Sequence, residues 1–359
     1  MTRFKLLLKN VTYSPMVDKF ISMLGGKRLF AELRLRSQKK LLLTKAIKEI
    51  KNVGKEIDTI NDYKHALNNH WVSYSEYLQY DFPHLSEKER GEYVARLKMV
   101  YFYWRYVPGY IKNTFRNKYK FLSYFHRYIH RKWIYVPNST YEEFVDLISN
   151  YDCIVKPCNE TRGHGICKIH KNSDRKNDRD LYEAYRKKGM CIEECIESCK
   201  ELKDFHPESL NTIRIVTVSN KKKAEVFGSF FRMGVGNSVV DNAHAGGIFA
   251  QINIHTGIIE SDGINTNGER FLYHPDSKLK IEGFTIPKWD LICNTCCQAA
   301  VLTGNVFTGW DVVINSQGKV EFIEGNDISD VDVLQLPLHI GIKKRLFALI
   351  KEYSGIEMK

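Results

Sequence analysis

Three oxygen-bearing side chains near the carboxyl end have the types and the spacing of a Mg²⁺ site. Asp311 lies in one apolar, β-branched run, Glu324 ends a second run, and Asn326 follows two residues later. Turn residues at 315–318 separate the runs, which predicts an antiparallel hairpin. Side chains at i and i+2 of a strand share a face, so pairing brings the two carboxylates and the amide together. Mg²⁺ accepts such ligands beside water and phosphate oxygens. The alternative is an ordinary hairpin with solvent-facing polar residues.

This hypothesis has a consequence for stability. Two adjacent carboxylates repel each other unless a cation lies between them. The sequence therefore predicts that removal of either Asp311 or Glu324 abolishes catalysis and stabilises the metal-free protein.

Two arginines occupy strands that are otherwise apolar. Arg214 lies in the alternating run 212–218, and Arg232 lies in the run 224–235. A buried arginine is costly unless it meets an anion, so both are candidates for binding phosphate or carboxylate.

A lysine and a glycine-containing loop form a second group. The run 153–157 predicts a buried strand that ends at proline, with Lys156 at its exit. The following loop contains Arg162, Gly163, His164 and Gly165. Glycines let backbone N–H groups approach phosphates, and the basic side chains supply positive charge. A simple hairpin turn also accounts for these glycines.

A polar loop at 238–247 separates two of the predicted strands. It contains Asn242 and His244 together with small glycines, which suits a substrate-binding loop beside the metal. A purely structural loop is the alternative.

Composition limits the class of protein. The chain has 359 residues, enough for a large core, and its net charge of +12 indicates an anionic partner. Nine cysteines in a chain of this length indicate reduced thiols and a cytoplasmic protein. No apolar run has the length of a signal peptide core or a membrane span, so we expect neither.

The segment 98–134 is basic and aromatic. It contains nine Lys or Arg, thirteen aromatic residues and no Asp or Glu. Such a segment could bind an anionic membrane surface or nucleic acid. Helical spacing of Phe121, Phe125 and Ile129 favours instead one face of a packed helix, and we place membrane contact ahead of nucleic acid.

Together these features resemble the ATP-grasp superfamily, and more narrowly the sugar-transfer-associated ATP-grasp family. The similarity extends over about residues 80–340 and is most specific at 207–326. The motifs that carry it are SLNTIR (209–214), RMGVG (232–236), DNAHAGGI (241–248), IPKW (286–289) and GWDV (309–312).

The resemblance implies ATP and Mg²⁺ as cofactors and assigns roles at the nucleotide. Lys156, and less securely Lys118, would contact phosphates, the loop 161–165 would close over them, and Arg214 would meet the γ-phosphate. Backbone groups of a hinge would bind adenine, and the metal would be held by the three hairpin residues. The hinge residues are Glu194, Cys195 and Ile196; Arg214, Arg232, Asn242 and His244 are the catalytic candidates; Asp311, Glu324 and Asn326 are the metal ligands.

The resemblance also implies an α+β, ATP-grasp fold in which two α+β lobes clamp ATP, preceded by a mostly helical region. We expect a helical region at 1–95, a basic aromatic helical segment at 96–150, a lid lobe at 151–205 and a catalytic lobe at 206–359. The expected activity is a ligase that joins a carboxylate-bearing or sugar-linked substrate to an amine or other nucleophile in cell-surface polysaccharide synthesis. A sugar phosphotransferase and a non-enzymatic binding protein are the alternatives. We expect the enzyme to be cytoplasmic, either free or in peripheral contact with the inner face of the membrane. Nucleic acid is not an expected partner.

Overall fold

The computed structural model describes residues 26–52, 57–159, 165–171, 177–238, 241 and 246–358. The chain separates into two compact units. The first comprises Met1–Tyr110 with Asp330–Lys351 and Glu357–Lys359, and the second comprises Ile111–Ser329 with Glu352–Ile356. Unlike the boundary expected near residue 95, this division falls after Tyr110, and residues 330–351 belong with the amino-terminal part.

The first unit is helical. Its helices are α1 (Gly26–Asn52), α2 (Ile57–Asn69), α3 (Tyr74–Gln79), α4 (Glu87–Arg90) and α5 (Arg96–Tyr106). Ser73 begins α3 and Ser86 begins α4, each in a complete capping box with the Glu three residues later. Large aromatic side chains such as Tyr63, Phe82 and Phe102 form its core.

The second unit begins with a four-stranded sheet in the order β1-β4-β2-β3. Its elements are α6 (Gly109–Arg116), α7 (Lys118–Tyr124), β1 (Trp133–Tyr135), α8 (Tyr141–Asn150), β2 (Cys153–Pro157), β3 (Cys167–Ile169), α9 (Asp178–Lys188) and β4 (Met190–Glu194). Thr140 caps α8 in a complete capping box with Glu143. Phe144, Val155 and Ile192 are among the buried residues that join α8 to the sheet.

A seven-stranded sheet follows in the order β11-β10-β5-β6-β7-β8-β9. Its elements are the short α10 (Lys200–Lys203), β5 (Ile213–Ser219), β6 (Ala224–Met233), β7 (Ile248–Gln251), β8 (Gly263–Ile264), β9 (Arg270–Phe271), α11 (Trp289–Thr303), β10 (Phe307–Ile314) and β11 (Val320–Asn326). The last helix, α12 (Lys343–Ser354), belongs to the first unit as far as Lys351. Helix α11 packs on this sheet through a buried stripe that includes Ile292 and Cys296. The predicted α+β class with a helical amino-terminal region is confirmed.

The basic aromatic segment is largely core. Phe125 contacts Trp310 with ring centroids 5.2 Å apart, and Tyr128 stacks on Phe322 at 5.0 Å. The predicted continuous helical face through residue 129 is wrong, because α7 ends at Tyr124 and a 3₁₀ turn follows. Because these rings are packed on β10 and β11, they do not form the membrane surface considered from the sequence. Within the described residues, no helix combines the length and apolarity needed to cross a membrane.

Candidate active site

A row of charged side chains crosses four neighbouring strands of the large sheet. Asp311 on β10 lies opposite both Glu324 on β11 and Arg214 on β5. Arg214 lies opposite Phe230, two residues before Arg232 on β6. Directly opposed and i, i+2 residues share a face, so all four charged groups lie on one side of the sheet. The predicted hairpin is therefore present, and Asp311 contacts arginines as well as lying opposite Glu324.

Asp311 is the centre of this row. Arg214 donates to both of its carboxylate oxygens, and the bond from Nη2 to Oδ2 is 2.8 Å. Arg232 Nη1 donates to Oδ2 at 3.0 Å. Burial opposes ionisation of this carboxyl, but the two guanidinium groups outweigh it and hold the pKa of Asp311 below its usual range. Asp311 is thus a stable anion in a buried setting.

Glu324 has the opposite electrostatics. The surrounding protein and the neighbouring Asp311 carboxylate raise the pKa of Glu324 to about 7, and the two acids lie within hydrogen-bonding reach. The Glu324 side chain is nonetheless exposed to solvent. Solvent screens part of the burial effect at such a position, so repulsion from Asp311 is the cause that the strand pairing supports most directly.

These residues fit a hard divalent cation. Asp311 accepts three hydrogen bonds from the arginines, which leaves capacity for one more partner on its oxygens. A cation between Asp311 and Glu324 would relieve the repulsion that, together with burial, raises the pKa of Glu324. Asn326 follows on β11, and its buried Nδ2 has no hydrogen-bond partner among the residues that the structure describes. This Nδ2 is a hydrogen-bond donor, so it is suited to an anionic oxygen such as one of a phosphate, whereas a cation would be bound through Oδ1 of the same amide.

Arg232 connects this row to the start of the polar loop. Its Nη2 donates to Asp241 Oδ1 at 2.7 Å, and Asp241 Oδ2 accepts from the Thr212 backbone N–H at 2.9 Å and from the Thr212 hydroxyl. The arginine head is therefore fixed between Asp311 and Asp241. Both strand arginines meet carboxylates, as a buried guanidinium requires.

Lys156 on β2 belongs to a buried ion network. Its Nζ lies 3.0 Å from Glu193 Oε1, and Arg131 donates to Glu193 from Nε at 2.7 Å. Arg131 also donates from Nη1 to Glu321 on β11 at 2.6 Å and to the carbonyl of Phe322 at 2.7 Å. Burial disfavours the Glu193 anion, but Lys156 and Arg131 outweigh it and lower its pKa to about 2. One arginine thus ties the sheet that carries Lys156 to the strand that carries Glu324.

Lys118 begins α7 near the same charges. Burial and the neighbouring Lys156 ammonium lower the pKa of Lys118, while Glu324 and Glu193 act in the opposite direction. Its backbone N–H donates to the carbonyl of Cys158 at 2.9 Å, which fixes the start of the helix beside the end of β2. Both predicted phosphate-binding lysines therefore influence each other electrostatically, and Lys118 also feels the charges of Glu324 and Glu193.

The predicted hinge follows β4. The Glu194 N–H donates to Lys132 O at 2.8 Å and the Cys195 N–H donates to Asp152 O at 2.7 Å. These two N–H groups are therefore engaged within the chain, and only the carbonyls and the third hinge residue, Ile196, remain as adenine-contact candidates.

Five predicted residues lie outside the described residues: Arg162, Gly163, His164, Asn242 and His244. Gly165 is described, with φ of +71°, and a Cβ there would lie 2.8 Å from Pro157 Cγ. Glycine is needed at 165 for local geometry.

Sequence reasoning did not single out Arg131, Glu193, Glu321 or Asp241 as site residues. Glu193 had an available signal, because strand alternation places it on the same face of β4 as Cys191, which lies opposite Lys156. Arg131 had none, since its partners are 62 and 190 residues away along the chain.

The profile of the family described as sugar-transfer associated ATP-grasp matches residues 100–351. A search of curated protein sequences gave no match.

Solved structures of ATP-grasp enzymes are similar in fold. The ATP-grasp ligase PsnB with a minimal precursor is 14% identical, with a TM-score of 0.42, over 68% of this chain and 62% of that chain. An L-amino acid ligase from Bacillus licheniformis is 16% identical, with a TM-score of 0.39, over 70% and 47%. N5-carboxyaminoimidazole synthase from Aspergillus clavatus, in complex with ADP and 5-aminoimidazole ribonucleotide, is 8% identical, with a TM-score of 0.38, over 63% and 47%. The chain thus spans about half to three fifths of these proteins, and likeness at this distance carries no conclusion about substrate.

Proposed function

Because the chain belongs to the sugar-transfer associated ATP-grasp family, we propose that it is an ATP- and Mg²⁺-dependent ligase that joins a carboxylate to an amine or another nucleophile. The observation that carries the proposal is the row of Glu324, Asp311, Arg214 and Arg232 on one face of the large sheet. Opposite charges fixed side by side can hold both a cation and the anionic groups of ATP and a carboxylate substrate.

The two lysines would bind the phosphates of ATP. Lys156 is held by Glu193, which in turn is held by Arg131, so its ammonium group is positioned before ATP arrives. Burial and the neighbouring Lys156 lower the pKa of Lys118, and a phosphate between the two lysines would favour its charged form. The carbonyls of Glu194 and Cys195, with Ile196, would contact adenine, and the loop that includes Arg162, Gly163, His164 and Gly165 would close over the phosphates.

The arginines would act on the transferring group. Arg214 and Arg232 are pinned in place by Asp311 and Asp241, so no reorganisation is needed when charge develops on the γ-phosphate. Asp311, Glu324 and Asn326 would hold Mg²⁺, which would neutralise phosphate charge and help orient ATP. The loop that includes Asn242 and His244 would contact the acceptor, because it follows directly from Asp241.

The proposed reaction proceeds in two steps. A substrate carboxylate oxygen attacks the γ-phosphorus, the bond to the β-phosphate oxygen breaks, and ADP leaves. The acyl phosphate then reacts at its carbonyl with an amine, which loses a proton as inorganic phosphate departs. Positioning and charge neutralisation serve both steps, and no covalent nucleophile from the chain is required. The words sugar-transfer associated in the family description are in line with a role in cell-surface polysaccharide or glycoconjugate synthesis. We assign residues 151–205 to the lid lobe and 206–329 to the catalytic lobe, because residues 330–351 belong to the first unit.

Hydroxylamine trapping tests the proposal. The protein is incubated with ATP, Mg²⁺, fractions of a bacterial metabolite extract and hydroxylamine, and hydroxamates are identified by mass spectrometry. We expect a hydroxamate of one carboxylic acid together with ADP in equal amount. Asp311→Asn should form neither product, whereas the exposed Glu282→Gln should match the unsubstituted protein.

A phosphorylated sugar without any hydroxamate would replace the ligase by a phosphotransferase. Failure to bind ATP with Mg²⁺ in a titration would overturn both enzymatic functions and favour a binding protein.

A further inference from the structure

Helix α1 presents a surface that the proposed reaction does not use. It is 27 residues long, which corresponds to roughly 40 Å at 1.5 Å per residue. Ala31, Leu35, Ala46 and Ile50 are buried and attach it to the first unit. The remaining surface carries three exposed leucines, with Leu29 50%, Leu33 41% and Leu41 47% exposed.

Basic side chains share that surface with the leucines. Six Lys or Arg of α1 are exposed and Glu49 is its one exposed acid: the cations are Arg28, Arg36, Lys40, Lys45, Lys48 and Lys51. At about 100° per residue, the three leucines lie with four of these cations in an arc of roughly 140°. The apolar and cationic groups therefore point in the same direction.

We propose that this face of α1 lies on an anionic lipid surface. A face rich in cations is attracted by anionic headgroups, and leucines between them enter the boundary with the acyl chains. Lysine and arginine stems are long enough to keep their charges among the headgroups while neighbouring leucines go deeper. The helix is charged and would lie along the surface.

Charge and composition favour lipid over other occupants. A second copy of the chain would have to bring two cationic faces together. Nucleic acid would use the cations but would leave the leucines without a role, and single strands are bound by stacking on aromatic side chains. The aromatic residue of α1, Phe30, is buried.

Vesicle co-sedimentation tests this assignment on the full chain. The vesicles are phosphatidylcholine alone, or phosphatidylcholine with phosphatidylglycerol, at low and high sodium chloride. We expect binding to the anionic vesicles that weakens with salt, and little binding to neutral ones. Replacing three cations by Arg36→Gln, Lys40→Gln and Lys48→Gln should weaken binding about hundredfold, at about fivefold for each charge.

Two further variants separate lipid from other polyanions. Leu33→Ser with Leu41→Ser leaves every charge in place and should weaken vesicle binding roughly tenfold or more. The control removes three exposed lysines of the second unit, by Lys187→Gln, Lys222→Gln and Lys280→Gln, and should retain binding. Melting curves and ATP turnover without vesicles should be unchanged in all variants, because the α1 residues changed are exposed.

The proposal is overturned if anionic vesicles are not bound, or if the control weakens binding as much as the α1 charge variant does. It is also overturned if the leucine variant binds vesicles normally, or if duplex DNA or transfer RNA binds more tightly than the vesicles. Those last results would identify α1 as a general polyanion surface.

Discussion

The substitution Arg131→Met tests how much the buried ion network around Arg131 contributes to stability. The methionine keeps most of the side-chain volume but removes the guanidinium, which forms ion pairs with both Glu193 and Glu321. Loss of one partner from a buried ion pair costs about 3–5 kcal/mol, because a charge is left buried without compensation. After the substitution, Glu193 still pairs with Lys156 at 3.0 Å and Glu321 still accepts from the His130 N–H at 2.9 Å. We therefore expect a loss in free energy of unfolding that stays within that range.

The pH dependence follows from Glu193. Its pKa in the folded protein is about 2, below the ordinary value of 4.5. A carboxyl group with a lowered folded-state pKa contributes stability that is present above the unfolded pKa and is lost as pH falls toward the folded one. The difference in free energy of unfolding between wild type and Arg131→Met should therefore be largest near neutral pH and should narrow between about pH 4.5 and pH 2.

The assay is urea denaturation of the protein, followed by fluorescence at several pH values, which gives the free energy of unfolding. Replacing the acids as well, in Arg131→Met with Glu193→Gln and Glu321→Gln, should recover most of the lost stability, since the uncompensated charges are gone. The matched control is Lys200→Met, which removes an exposed pair with Asp204 and should change stability by no more than about 0.5 kcal/mol. A loss below about 1 kcal/mol at neutral pH for Arg131→Met, or one independent of pH, would refute the reasoning.

Three further predictions concern the nucleotide and the metal. Lys156→Ala should weaken ATP binding by about ten- to hundredfold in a calorimetric titration, because a charge-assisted phosphate contact is lost; unchanged affinity would remove Lys156 from the site. Mg²⁺ with ATP should raise the melting temperature of the wild type, and should do so much less for Asp311→Asn or Glu324→Gln; a full shift in both variants would make the hairpin purely structural. Without metal, the raised pKa of Glu324 should make wild-type stability fall as pH rises from about 4.5 to about 7, a component that Glu324→Gln removes; an unchanged pH profile in that variant would contradict the assignment.

The contacts predict different effects on the stability of the metal-free protein for two substitutions, whereas the sequence predicts the same effect for both. Adjacent carboxylates predict that loss of either acid stabilises the metal-free protein. In the structure only Glu324→Gln should do so. Asp311→Asn removes the anion that pairs with Arg214 and Arg232, so we expect it to destabilise the metal-free protein.

The hairpin and the strand arginines could be predicted because alternation and turn residues are local signals. Asp311 and Glu324 face each other through a register that a short turn sets, and the turn ends at Gly318 with φ of +75°. Arg131 could not be found in this way, since the value of a buried charge depends on partners from distant parts of the chain. The burial of Phe125 and Tyr128 was only partly predictable, because a basic aromatic segment has the same composition whether it covers a sheet or a ligand.

The division of the chain has a consequence for the order of folding. Gln335 binds the backbone of Val94 through both ends of its amide, with Oε1 accepting from the N–H at 2.9 Å and Nε2 donating to the carbonyl at 2.9 Å. These partners are 241 residues apart, and all of Ile111–Ser329 lies between them. During synthesis the intervening unit emerges whole before its neighbour is complete. A nascent helical unit must therefore wait for residues 330–351, and its exposed core during that interval is where we expect chaperones to bind.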